Sequence, residues 1–112
     1  MTLDDILVKC KDLNIHEARE SKFPSEYKEI VIFSKDLVSW SKVLAEVFGE
    51  PAKPAGVEPT RAHFDLTKPY GGIYENQTLF QKELNDKTAL AMLWPWQDRT
   101  HITLKIIFLK KA

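Results

Sequence analysis

The sequence predicts an α+β fold: a four- or five-stranded, mostly antiparallel sheet with two helices, one of them packed across one face. Three observations carry this prediction. Apolar residues at helical spacing occur twice, and both stretches lie in the first half of the chain. The second half strings together short strand-like segments separated by turn signals. The last quarter, from Thr88 to Leu109, reads as two apolar strands joined by a polar turn. Segregated helices followed by consecutive strands argue for an antiparallel sheet rather than an alternating α/β one.

The first helix is expected over residues 2–13, where Leu3, Ile6, Leu7, Cys10 and Leu13 make one stripe. Thr2 is placed to cap it, with Asp5 three residues on as the reciprocal partner. Residues 14–28 are polar and irregular, and Pro24 opposes a continuous helix. The run Ile30–Phe33 is apolar at every position, which suits a central strand. Ser34 or Asp36 is placed to cap a second helix, with Leu37, Trp40, Leu44, Val47 and Phe48 facing inward and Gly49 ending it.

Residues 49–60 carry three prolines and two glycines and read as a loop. Ala62, Phe64 and Leu66 alternate with Arg61, His63 and Asp65, which predicts a half-buried strand. Pro69–Gly72 is a turn. Residues 78–84 fit a strand or a short helix, the strand being preferred, and strands follow at 88–94 and about 101–109. The 112 residues then form one domain, 1–112, large enough for a single core.

One resemblance bears on topology. Glu29-Ile-Val-Ile-Phe-Ser-Lys-Asp-Leu37, followed by a helix ending Val47-Phe-Gly-Glu-Pro51, resembles the opening strand and helix of glyoxalase and bleomycin-resistance proteins. That resemblance implies one βαβββ module. The family pairs such modules into a cupped sheet that often holds a divalent metal. No functional residue is carried over from it.

Composition excludes several functions. Sixteen basic and sixteen acidic residues cancel, so the excess of Lys and Arg that a nonspecific nucleic-acid binder needs is missing. No apolar run is long enough to span a membrane. The N-terminal residues lack the basic region and apolar run of a secretory signal, so the cytoplasm is the expected compartment. Cys10 is the single cysteine; on the inner stripe it is expected to be a buried, unreactive thiol. No nucleotide-binding glycine motif and no nucleophile elbow is present. His63, Glu83 and His101 would share a face if their strands were neighbours, but their sequence separation argues against a metal centre. Neither a metal nor a cofactor is expected.

What remains is a contact surface. Trp residues combine a large apolar area with one N–H and are enriched at interfaces. Trp94 and Trp96 share one side of their strand, while Pro95 marks where pairing ends. Trp94 is expected in the core and Trp96 in the more exposed position. The expected surface combines Arg61, His63, Asp65, Glu83, His101 and Lys105 with the two tryptophans and the Pro69–Tyr74 turn. The sequence thus reads as a small cytoplasmic binding or protein-interaction domain. The alternatives are a small enzyme, with or without a metal, resembling the glyoxalase and bleomycin-resistance fold, and an accessory subunit of a larger complex. Ile107 and Leu109 fall on the polar side of the last strand, which predicts a homodimer through that strand. A small-molecule ligand is the other expected partner.

Overall fold

The computed structural model of the protein describes residues 2–19 and 26–110. Pro24 and Lys111 lie outside the described residues. The fold is α+β, with one open five-stranded antiparallel sheet and, among the described residues, three α-helices. The strands are β1 (Glu17–Arg19), β2 (Tyr27–Phe33), β3 (Thr78–Glu83), β4 (Lys87–Pro95) and β5 (His101–Lys110). They lie in the order β1-β2-β5-β4-β3. The helices are α1 (Leu3–Lys9), α2 (Leu37–Phe48) and α3 (Arg61–Thr67). From β2 onward the strand–helix–three-strand order is the one implied by the resemblance, with α3 added before β3.

Local chemistry accounts for the helix ends. Thr2 and Asp5 form the reciprocal capping box, and the stripe buries Leu3, Ile6 and Cys10. Asp36 precedes α2 without making a side-chain cap bond, and Ser34 lies in a 3-10 turn that leads into the helix. The expected cap is therefore replaced by a turn that already points the chain into the helix. Gly49 ends α2 with φ +84°, a conformation that favours glycine.

The expected strand at 61–66 is instead α3. Thr60 accepts a bond from the His63 backbone N–H at 3.1 Å, and the His63 ring accepts from Thr60 N–H. This cap fixes a helix, in which Ala62 faces solvent while Phe64, Leu66 and Thr67 turn inward. Six residues are too few to separate an alternating pattern from a helical one, so the cap decides. A second correction concerns residues 14–28, where an edge strand, β1, forms within the stretch expected to be irregular.

The two faces of the sheet differ. On the first, α1 and α2 cover Ile30, Ile32, Phe80, Ala91, Leu104 and Ile106, with Trp40 and Leu44 fully buried between. The Trp40 indole N–H donates to the Asn14 carbonyl at 3.2 Å. On the second face, α3 and the turn after it cover only the β3–β4 side, where Ile73, Leu79, Leu90, Met92 and Ile107 form a smaller cluster. Gly71 and Gly72 make this covering close. A Cβ on Gly71 would lie 2.2 Å from the Trp94 ring, and one on Gly72 2.9 Å from the Phe64 ring.

β5 lies between β2 and β4. Its apolar residues on both faces are those of a central strand, and the second cluster covers Ile107. The reason for expecting a dimer through this strand is thereby removed. The outer edge of β3 is met by Lys53, which pairs with Leu79. The Lys53 ammonium, 1% exposed, donates to the carbonyls of Pro54 (2.8 Å), Glu75 (2.9 Å) and Gln77.

Candidate functional site

Among the described residues no helix lies over the second face toward β1 and β2, and the register defines what it presents. Successive rows read Phe33–His101, then Glu17–Val31–Thr103–Trp94, then Arg19–Glu29–Lys105–Met92. Val31 and Thr103 are buried and floor the patch. Around them stand two cations, two carboxylates and aromatic rings that the apolar core does not require.

Glu29 organises the centre. It accepts the Tyr27 hydroxyl at 2.6 Å and the Arg19 guanidinium at 3.3 Å. Arg19 also approaches Glu17 at 3.6 Å and lies 5.7 Å from the Trp96 ring centroid. Burial and the Glu29 bond push the Tyr27 hydroxyl well above the usual phenol range. Lys105 on β5 is the register partner of Glu29 on β2, yet no carboxylate lies within ion-pair distance of it among the described residues. Its ammonium rests 3.5 Å from the Trp94 ring centroid and donates to the Tyr70 carbonyl at 2.9 Å. Desolvation holds its pKa below the ordinary lysine value; Glu29 opposes that shift and Arg19 adds to it.

An aromatic shelf borders this centre. The Trp96 and His101 rings are 4.9 Å apart, His101 and Phe33 5.4 Å, and His16 adds a ring 4.8 Å from His101. The Trp96 N–H donates to the Thr103 hydroxyl at 2.7 Å. His101 Nδ1 lies 2.6 Å from Asp98, whose other oxygen accepts backbone N–H groups of Thr100 and His101. These bonds, that of Thr100 first, hold the Asp98 carboxyl down at about 2.

Of the expected contact residues, the structure brings together Trp94, Trp96, His101 and Lys105. Arg61, His63 and Asp65 belong to α3, where Arg61 pairs with Asp65 at 3.5 Å on the solvent side. Glu83 lies in the row of Thr88 and Leu109, at the opposite end of the sheet from His101, about 27 Å away at the usual strand rise. His63, Glu83 and His101 therefore do not converge. Among the described residues, no group of three or more His, Cys, Asp or Glu is arranged to hold a metal ion. Both tryptophans are half-buried, so Trp94 is not sealed in the core as expected. They differ in surroundings: Trp94 packs against the second cluster with its N–H buried and unpartnered, while Trp96 belongs to the shelf.

Arg19, Tyr27 and Glu29 were not anticipated. Their signal was the alternation of Tyr27, Glu29 and Val31 leading into the apolar run, which extends that strand by three residues and turns a carboxylate toward Lys105. Comparison with protein-family models, curated proteins and solved structures finds no match to this chain. No helix among the described residues is long and apolar enough to cross a membrane.

Proposed function

We propose that this protein is a small cytoplasmic binding domain whose contact surface is the uncovered half of the second sheet face. The observation that supports this reading is the placement of two cations against two tryptophan rings, Lys105 on Trp94 and Arg19 toward Trp96, on either side of Glu29. A solvated face needs no such layer. Cations over indole rings, with hydroxyl and carboxylate groups between them, are the ingredients of a recognition surface. The remaining half of that face is closed by α3 and the turn after it, and among the described residues no such element lies over this patch.

The indole N–H resonances test the reading. Trp40 is sealed in the first-face core and serves as the internal reference. Titration with mixtures of acidic, basic and neutral small molecules, and with short peptides, is expected to shift the Trp94 and Trp96 signals while Trp40 stays fixed. If every mixture leaves Trp94 and Trp96 unmoved, or moves all three alike, the contact surface is not there.

A further inference from the structure

Resting on that reading, we propose that the patch takes a small organic carboxylate with a flat apolar body. Its carboxylate meets Lys105, and its ring lies on the Trp96–His101 shelf.

Counting donors against acceptors leads to this class of ligand. Glu29 is already engaged by Tyr27 and Arg19, and Arg19 is further compensated by Glu17. Lys105 is the half-buried cation on this face without a carboxylate partner among the described residues, and one carbonyl, that of Tyr70, accepts from it. An ammonium has three donors, so two remain. A half-buried charge is costly unless it is paired. Thr103 lies two residues away on the same face of β5; its oxygen accepts from Trp96, which leaves its own proton available. Donors therefore exceed acceptors at this point of the sheet, and an acceptor-bearing anion restores the balance.

The charge count also sets the size of that anion. Arg19 and Lys105 balance Glu17 and Glu29 in number, but both carboxylates pair with Arg19, so among the described residues Lys105 is the cation left without a paired carboxylate and suits a single negative charge. Glu29 in the Lys105 row and Glu17 in the next row repel a second, which favours a carboxylate over a phosphate dianion. The flat body follows from the shelf. The His101 ring lies at stacking distance from both Trp96 and Phe33, and this shelf is set off from the Lys105 row by the Thr103 row.

The test titrates benzoate, benzylamine, phenyl phosphate and inorganic phosphate against the full chain, following the Trp94 and Trp96 indole signals with Trp40 as reference. Benzoate is expected to bind saturably, more weakly at high salt, and more tightly than the other three. Lys105→Met keeps the apolar stem on the Trp94 ring and removes the charge. It is expected to weaken benzoate by roughly tenfold or more, the loss of a charge-assisted hydrogen bond, whereas Lys105→Arg retains most of the affinity. Trp96→Ala is expected to weaken benzoate as well. A Trp40 signal unchanged in each variant certifies the fold. Tighter binding of benzylamine or of either phosphate overturns the carboxylate assignment while leaving the contact surface standing. So does unchanged benzoate affinity in Lys105→Met. Failure of all four probes together with every peptide and mixture overturns both readings.

Discussion

The two faces of the sheet follow different rules. The first is closed by two amphipathic helices over an apolar centre, with Trp40, Leu44, Ile32 and Leu104 fully buried. The second is closed on one side by a seven-residue helix and a glycine turn, and on the other carries Arg19, Glu29, Lys105 and a shelf of rings. Both faces alternate along the same strands, so β5 supplies Leu104 and Ile106 to one and Thr103 and Lys105 to the other. Stability is concentrated on the first face, and chemical variety on the uncovered part of the second. A domain with one face fully committed to folding is free to spend the other on recognition.

Breaking the first face is expected to cost most. Trp40→Ala removes a fully buried ring and its bond to Asn14, and a loss of about 3–5 kcal/mol is expected in denaturant unfolding. A loss below that of any second-face variant would reverse the ranking of the two faces. The covered half of the second face comes next. Gly71→Ala places a methyl against the Trp94 ring at φ +106°, and strain plus overpacking are expected to cost about 2–4 kcal/mol. Near-wild-type stability of this variant would mean that the turn does not clamp Trp94.

The first face also predicts an alkaline response. Burial raises the Cys10 thiol from 9.0 to about 11. The folded state therefore holds that proton above the pH at which the unfolded chain releases it. The resulting stability is fully present below pH 9.0 and lost as pH rises to about 11. The loss is expected to be about 2–3 kcal/mol. Cys10→Ala should flatten this part of the stability-against-pH curve, and an unchanged slope would assign it to other groups. The smallest effect belongs to the uncovered patch. Lys105→Met is expected to change stability by less than about 1 kcal/mol, because a desolvated charge is removed together with the bond it makes. A large loss would show that the patch serves the fold rather than a ligand.

What could be read from the sequence was local. The Thr2–Asp5 box, the burial of Cys10, the inner face of the helix ending at Gly49 and the strands at the C-terminal end all follow from spacing along the chain. The misread segment, 61–66, was ambiguous because a period of 2 and one of 3.6 look alike over six residues. Thr60 with His63 three positions later was the cue for a helix. The site was half legible. Trp94, Trp96, His101 and Lys105 sit on adjoining strands of one hairpin, so alternation put them together. Glu29 joins them only through the β2–β5 register, which pairs it with Lys105 more than seventy positions away and which no local pattern encodes, and Arg19 follows through its pairing with Glu29. The separation of Arg61, His63 and Asp65 from this group has the same cause, because facing could not be assigned before the element type was known.

Lys53 has a consequence of a different kind. Three backbone carbonyls, from Pro54, Glu75 and Gln77, converge on its ammonium away from water. Such a ring of oxygens is what an alkali ion seeks, and here the ion is supplied by the chain and cannot diffuse away. The junction between the proline-rich loop and the start of β3 is in this sense self-ligated, indifferent to the salts around it. Lys53→Ala would turn that tether into an open cage. Its melting temperature is then expected to rise in potassium or ammonium salts relative to equal concentrations of a bulky organic cation, while the wild-type protein makes no such distinction. Equal melting in all of these salts would mean that the carbonyls relax apart once the tether is gone.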